Sequence, residues 1–261
     1  MSSLETRSGW SVIRVEGISH SYSIANSVID ALSDVSLEVS QGEFFTIIGP
    51  SGCGKSTLLN IMAGLIKPTK GTVIVAGKKV NGPQPGTISY VFQNPLLLPW
   101  RTVIDNVGLG LELSGVKKEK RREVAMEYLK LVGLSGFENM YPSELSGGMQ
   151  QRVAIARALA VNPEILLMDE PFGALDEQTR LMLGEDLSRI WMHSKKTVVF
   201  VTHSLAEAAF LSTRVAVMSA RPGRIIDVVD IDVERPRDPE SEGVQKVRRE
   251  LWLKLKRGIG K

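Results

Sequence analysis

The chain has 261 residues, of which 43% are hydrophobic and 23% are charged, and its formal net charge is +3. This length suits one large domain or two joined ones with a full core, and so small a net charge gives no argument for nucleic-acid binding. The single cysteine excludes a disulfide within the chain, and no apolar run approaches the roughly 20 residues that span a bilayer.

The first third of the chain predicts short strands around a glycine-rich loop. Residues 1–10 lack the apolar stretch of a secretory signal, and we expect them to form a flexible N-terminus. Apolar runs punctuated by glycine and proline predict strands at residues 12–15, 37–39, 44–48, 72–76 and 88–92. Leu58, Leu59 and Met62 stand at helical spacing and predict a helix over residues 55–63.

The middle of the chain changes to helical periodicity and then returns to strands. Helices predicted at residues 103–113, 117–132 and 149–159 suggest a helical subdomain over residues 94–162. Further strands are predicted at residues 165–168, 197–202 and 215–218, with a helical segment at residues 176–194. Because strands alternate with helices, we predict an α/β fold with a mostly parallel, buried sheet.

The C-terminal part has a turn, a strand and a final helix. The turn is predicted at residues 221–224 and the strand at residues 225–229. A proline- and charge-rich linker follows over residues 232–242. The final helix is predicted from its apolar face, which is formed by Val244, Val247, Leu251 and Leu255. The helix also carries many lysines and arginines. We interpret them as the solvated face of a docking helix, with membrane or nucleic-acid binding as the alternative.

The loop after the strand at residues 44–48 matches the phosphate-binding pattern G-x-x-x-x-G-K-[ST]. It consists of Gly49, Pro50, Ser51, Gly52, Cys53, Gly54, Lys55, Ser56 and Thr57. Glycines let backbone N–H groups approach phosphate at a helix N-terminus, Lys55 would reach the β- and γ-phosphates, and the Ser56 hydroxyl would bind Mg²⁺. The alternative is a glycine turn without a ligand. For Cys53 we favour a side chain that merely fits over a redox switch, because no resolving cysteine exists.

Two carboxylates, Asp169 and Glu170, follow an apolar strand. Beside the phosphate loop, Asp169 would hold the magnesium shell and Glu170 would polarise the attacking water. As isolated acids they would more often cap a helix. Tyr22, Gln93 and His203 are weak signals by themselves, since a packed tyrosine, a polar glutamine and a loop histidine are ordinary.

A second glycine-rich helix start lies at residues 145–152. Ser146 and the backbone N–H groups at this helix N-terminus form a further anion site. Two phosphate sites with one pair of carboxylates suggest that the second site serves the nucleotide of another copy.

In this order the motifs resemble those of the ATP-binding cassette (ABC) family. The likeness is carried by the phosphate loop, Gln93, Leu145-Ser146-Gly147-Gly148-Met149-Gln150, Asp169-Glu170, Ala174-Leu175-Asp176 and His203. It implies an ATP-binding domain over residues 11–231, built on a P-loop NTPase (RecA-like) core with an N-terminal antiparallel β subdomain and an inserted α-helical subdomain. Residues 232–261 would form a linker and a short helix.

The resemblance also implies how the residues are used. ATP and Mg²⁺ are bound in a head-to-tail dimer, in which Ser146, Gly147, Gly148 and Gln150 act on the partner's nucleotide. By the same resemblance Tyr22 stacks on adenine, Gln93 senses metal and γ-phosphate, Asp176 lies at the dimer seam, and His203 contacts the γ-phosphate beside Glu170. Lys55 and Glu170 are then catalytic residues in ATP hydrolysis, and Ser56, Gln93 and Asp169 bind the Mg²⁺ ion.

Within the family, residues 97–100, 102–107 and 221–225 resemble importers of nitrate, sulfonate and taurine. This implies membrane permease subunits as partners, a solute-binding protein as an indirect partner, no nucleic acid, and a peripheral position at the cytoplasmic face of the membrane. Ser204 departs from the Asp that commonly follows the histidine. The sequence does not specify the transported solute, and the candidates are nitrate, sulfonates, taurine and pyrimidine-like or other small solutes. The alternatives are a soluble cassette ATPase acting on DNA or the ribosome, and a P-loop kinase.

Overall fold

The computed structural model describes residues 11–24 and 27–259. The flexible N-terminus predicted at residues 1–10 lies outside the described residues. The strands are β1 (Ser11–Ile24), β2 (Ser27–Ser40), β3 (Phe44–Ile48), β4 (Lys70–Val75), β5 (Lys78–Lys79), β6 (Ile88–Val91), β7 (Ile165–Asp169), β8 (Thr197–Thr202), β9 (Arg214–Met218) and β10 (Ile225–Asp230). The helices are α1 (Lys55–Met62), α2 (Val103–Val107), α3 (Leu109–Leu113), α4 (Lys118–Leu131), α5 (Gly147–Ala160), α6 (Glu177–Ser194), α7 (Leu205–Leu211) and α8 (Glu242–Ile259), with a 3₁₀ turn at Pro142–Glu144.

Two sheets organise the chain. The larger has the strand order β10-β9-β3-β8-β7-β6, and all its neighbours are parallel except β10 and β9. Every residue of β3 and β8 is buried, as expected for strands covered by packed chain on both faces. The smaller sheet is antiparallel, with the order β2-β1-β4-β5. The predicted α/β class, with a mostly parallel sheet and an antiparallel β unit, is therefore confirmed.

The helical region between β6 and β7 differs from the prediction in one detail. The single helix predicted at residues 103–113 is divided at Gly108, which ends α2 and precedes α3. Thr102 caps α2, because its hydroxyl accepts a hydrogen bond from the Asp105 N–H. Helices α2, α4 and α5 share a buried core that continues onto the central sheet. This core connects the helical region to the strands that carry the site residues.

The C-terminal helix α8 packs on α7 and β9. Val244, Leu251 and Leu255 are buried there and Val247 packs against the same cluster, so the predicted apolar face is the docked one. The preceding linker is fastened by Arg237, whose buried guanidinium donates to the carbonyls of Ala209, Phe210 and Ser212 at the end of α7. None of the described helices is both long and apolar enough to cross a membrane.

Candidate functional site

The phosphate loop connects the buried strand β3 to helix α1 through a tightly fitted backbone. Gly52 and Gly54 have φ angles of +73° and +105°, which residues other than glycine rarely adopt. A β-carbon on Gly54 would lie 2.7 Å from Leu32 Cδ2 and 2.8 Å from the Ala31 carbonyl oxygen. The loop therefore needs glycine at position 54 for both backbone angle and space.

Lys55 begins helix α1 and is buried in the loop, with 4% of its side chain exposed. Its ammonium donates to the carbonyls of Gly49 and Pro50 at 3.0 and 3.1 Å and lies 3.5 Å from Glu170 Oε1. One positive charge thus stands between the loop carbonyls and the carboxylate at the end of β7. Such a charge suits the terminal phosphates of a bound nucleotide.

Ser56 and Asp169 meet across the same cleft. The Ser56 hydroxyl donates to Asp169 Oδ1 at 2.9 Å, and the Tyr90 hydroxyl donates to Asp169 Oδ2 at 3.4 Å. Burial raises the pKa of the Asp169 carboxyl, while the bond from Ser56 opposes that rise. A hydroxyl beside a carboxylate is an oxygen pair suited to Mg²⁺ held partly by phosphate oxygens and water. Sequence reasoning did not include Tyr90, although it lies in the strand beside β7.

Glu170 and His203 form a second polar pair. Glu170 follows β7 with a φ of +42°, and its N–H donates to the Val201 carbonyl at 2.9 Å, which fixes the backbone of Glu170 at the strand end. His203 Nδ1 lies 3.0 Å from Glu170 Oε2. The carboxylate is thus bracketed by an imidazole and the Lys55 ammonium. This geometry fits a base that orients water beside a phosphate.

Ser204, the departure noted in the sequence, has a local task here. Its hydroxyl accepts a hydrogen bond from the Glu207 N–H at 3.3 Å, which caps helix α7. Its own N–H donates to Thr202 Oγ1 at 2.9 Å. A serine is among the residues preferred at this position, so the cap that follows His203 is kept without an aspartate.

Tyr22 approaches the loop from the antiparallel sheet. Its hydroxyl lies 3.2 Å from Thr57 Oγ1, and its ring meets His20 edge-on. A cleft of about 300 Å³ opens beside it. The residues lining this cleft are Tyr22, Ile29, Ala31, Ser51, Gly52, Gly54, Lys55, Ser56, Thr57, Glu170 and Arg221. Ile29, Ala31 and Arg221 were not among the site residues predicted from the sequence.

Cys53 points away from the cleft into the core. The residue is 1% exposed, and burial raises the pKa of its thiol. The Gly49 backbone packs so closely that a β-carbon there would lie 2.8 Å from Cys53 Sγ. The favoured interpretation, a side chain that fits the loop, agrees with this placement.

The second glycine-rich segment lies apart from this cleft. Ser146 caps α5 by accepting from the Met149 N–H at 3.3 Å, and Ser146 and Gly147 are exposed. The Gln150 amide donates to the carbonyls of Pro142 and Leu145, so its side chain braces the preceding loop. None of these residues lines the cleft around the phosphate loop in the described part of the chain. Within one copy of the chain, this segment and the cleft around the phosphate loop are therefore separate.

Gln93 and Asp176 stand at the edges of the site. Gln93 follows β6 and is exposed, and its Nε2 would lie 3.4 Å from a β-carbon on Gly173, in the turn after Glu170. Asp176 caps α6 by accepting from the Thr179 N–H at 3.0 Å, and its bonds to Thr179 lower the pKa of its carboxyl. Both side chains are open to a partner or a ligand.

Comparison with known proteins identifies relatives of this chain. Residues 32–173 match the family model described as ABC transporter. An uncharacterized ABC transporter ATP-binding protein of Methanocaldococcus jannaschii is 53% identical over 94% of this chain and 91% of its own length. The taurine import ATP-binding protein TauB of Rhizobium johnstonii is 52% identical over 79% of both chains. The aliphatic sulfonates import ATP-binding protein SsuB of Bacillus cereus is 42% identical over 94% of this chain and 96% of its own.

A solved structure has the same architecture. It is a dimeric ATP-binding cassette in a post-hydrolysis state, bound to ADP and Pi. The likeness has a TM-score of 0.76 and 37% identity, and it covers 85% of this chain and all of that one.

Proposed function

The chain belongs to the ABC transporter family, and we propose that it is the ATP-hydrolysing subunit of an importer for sulfonate-type solutes. ATP hydrolysis coupled to transport is the activity of such subunits. The substrate class rests on two relatives that are named for importing taurine and aliphatic sulfonates. Taurine is itself a sulfonate, so the two names share one chemical group. No comparison supports the alternative of a soluble cassette working on DNA or the ribosome.

The observation that carries the catalytic proposal is the contact set around Glu170. Lys55 at 3.5 Å and His203 at 3.0 Å hold its carboxylate where β7 meets the phosphate loop. In our proposal Lys55 neutralises the β- and γ-phosphates, Glu170 orients and accepts a proton from water, and His203 keeps Glu170 in place and reaches the γ-phosphate. Tyr22 would stack on the adenine, and the loop N–H groups from Ser51 to Thr57 would hold the phosphates.

We propose Mg²⁺ as the accompanying ion, held through Ser56, Asp169 and Gln93. Mg²⁺ in nucleotide sites keeps several waters and phosphate oxygens and needs few protein ligands. A paired hydroxyl and carboxylate meet that need. The ion would supply charge neutralisation at the β- and γ-phosphates.

The site is completed in trans. Dimeric cassettes of the same fold are known, and the exposed Ser146, Gly147 and Asp176 are available to a second copy. We propose that Ser146, Gly147, Gly148 and Gln150 form the second half of the partner's site, with Gln150 acting as a brace. ATP binding would close the pair and hydrolysis would reopen it, so that an isolated subunit turns over slowly.

Permease subunits complete the transporter. The segment after Gln93 and the helical subdomain expose the large apolar side chains of Leu96, Trp100 and Leu113. Exposed apolar side chains of this size are typical of protein interaction sites. We propose that this surface meets the permease at the cytoplasmic face of the membrane, where the subunit binds peripherally, while a solute-binding protein delivers the substrate to the permease.

The decisive test is Glu170→Gln. We expect the rate of phosphate release to fall by about 10²–10⁴-fold, because the general base is lost. ATP binding should be kept, since the phosphate loop is untouched. Glu127→Gln, which changes an exposed acid on α4, is the matched control and should hydrolyse ATP at the normal rate. Near-normal hydrolysis by Glu170→Gln would refute the catalytic assignment, and uptake assays with the permease and labelled taurine would test the substrate class.

A further inference from the structure

The turn after β9 is held against the phosphate loop. The Gly223 N–H donates to the Ala31 carbonyl at 2.9 Å, and the Gly223 carbonyl accepts from the Ser33 N–H at 3.0 Å. Gly223 is also so close to the phosphate loop that a β-carbon there would lie 2.1 Å from the Cys53 carbonyl oxygen. The turn is thus fixed by backbone contacts on two sides.

Arg221 stands two residues earlier in this turn and lines the nucleotide cleft. Its side chain is exposed and forms no hydrogen bond or ion pair with another residue in the described ranges 11–24 and 27–259. Arg224 in the same turn differs, because its guanidinium donates to the Ser33 hydroxyl at 3.0 Å and does not line the cleft. One arginine of the turn is therefore committed to the fold, and the other is free for a ligand.

The charge of the cleft favours an anionic ligand at this place. Lys55 is the other cation that lines it, and Lys55 already contacts two loop carbonyls and Glu170. A guanidinium offers several N–H donors in a planar fork, which suits phosphate oxygens. An unpaired guanidinium beside a phosphate loop is well placed to add a charge-assisted bond.

Position indicates which part of the nucleotide Arg221 would meet. Its turn adjoins Ala31 and the Cys53 carbonyl, whereas the hydrolytic residues Asp169, Glu170 and His203 form no hydrogen bond with this turn in the described chain. The cleft is lined by Tyr22 and Ile29 on the proposed adenine side, and also by Glu170, which makes no hydrogen bond to the turn of Arg221 in the described chain. The phosphates nearest the nucleoside are therefore the expected partners, and the γ-phosphate is not.

From these contacts we infer that Arg221 is an additional nucleotide-binding residue, whose guanidinium contacts the α- or β-phosphate of the ATP bound to its own subunit. The inference rests on the proposed function, because it takes ATP to be the ligand. It adds to the phosphate loop a contact from a distant part of the chain. Because ADP keeps the α- and β-phosphates, Arg221 should strengthen ADP and ATP binding alike.

The test measures ATP and ADP affinity by calorimetry in the full-length protein with Mg²⁺ present. We expect Arg221→Gln to raise both Kd values by about 5–10-fold, the loss of one charge-assisted bond, and to raise KM with kcat unchanged. Arg221→Lys should recover part of the affinity. Arg224→Gln, which removes the same charge from the same turn, should bind as wild type does.

Three results would overturn the inference. The first is Arg221→Gln with both Kd values within twofold of wild type, and the second is Arg224→Gln weakening binding as much, which would indicate general charge rather than contact. The third is a loss confined to ATP, which would place Arg221 at the γ-phosphate. Wild-type protein that binds no ATP would instead refute the proposed function. Because Arg221 is exposed, its variants should unfold at the wild-type temperature, and this is measured alongside.

Discussion

Replacing Gly54 by alanine puts a β-carbon where the phosphate loop has no room. The left-handed backbone at φ +105° costs a side-chain-bearing residue about 1–2 kcal/mol. The approaches of 2.7 and 2.8 Å to Leu32 and the Ala31 carbonyl add about 1–3 kcal/mol of overpacking, and the carbonyl cannot yield easily because it accepts from Gly223. The total penalty is about 2–5 kcal/mol.

That penalty is divided between two measurements. If the loop keeps its shape, the free energy of unfolding in the absence of nucleotide falls by the full amount. If the loop distorts instead, rebuilding it weakens ATP binding by tenfold for each roughly 1.4 kcal/mol. Denaturant unfolding and ATP titration of the same variant therefore give losses that sum to about 2–5 kcal/mol.

Gly52→Ala is the matched control. Gly52 also has a positive φ, of +73°, but a β-carbon there meets no atom within 4 Å. Its loss of stability without nucleotide should be only the backbone strain of about 1–2 kcal/mol. The predicted clash at Gly54 is absent if Gly54→Ala keeps both stability and ATP affinity, or if Gly52→Ala costs as much stability as the two losses of Gly54→Ala combined.

One substitution and one labelling experiment test the core of the molecule. Arg237→Ala removes a buried guanidinium that donates to five backbone carbonyls. The free energy of unfolding, measured by denaturant titration, should therefore fall by about 3–4 kcal/mol. A loss under about 0.5 kcal/mol would show that these hydrogen bonds contribute little. Cys53 should react with iodoacetamide at least about tenfold more slowly in the native protein than in the unfolded chain, because it is buried. Burial also raises the pKa of the thiol, so the native reaction rate should rise only at higher pH. Equal rates in the native and unfolded protein would contradict the buried placement.

Local patterns were sufficient to predict the central sheet and the phosphate loop. Strands β3, β7 and β8 are short apolar runs, and a short apolar run by itself predicts a buried strand. The loop motif likewise contains its glycines, lysine and serine within nine residues. Asp169 lies next to Ser56 because the ends of parallel strands share one edge of the sheet, a relation that the order of elements already indicates.

Other features depend on contacts that no local pattern contains. Strands β1 and β2 each have 14 residues, but only their outer ends were predicted, because their exposed faces are polar and several register shifts interrupt the alternation. Helix α7 has seven residues and was missed, since so short a segment shows little periodicity. Arg221 reaches the cleft only because backbone bonds attach its turn to Ala31 and Ser33, far away in the sequence.

The close packing of the Gly148 backbone makes the proposed dimer seam rigid. A β-carbon on Gly148 would lie 2.6 Å from Thr179 Cγ2, so helix α5 and the first turn of α6 fit together without space between them. Thr179 is also the residue whose N–H is held by Asp176. Ser146 at one helix start and Asp176 at the other are therefore parts of a single rigid edge. In the dimer that we propose, this edge engages the partner as a whole, so closure on one contact alone is unfavourable.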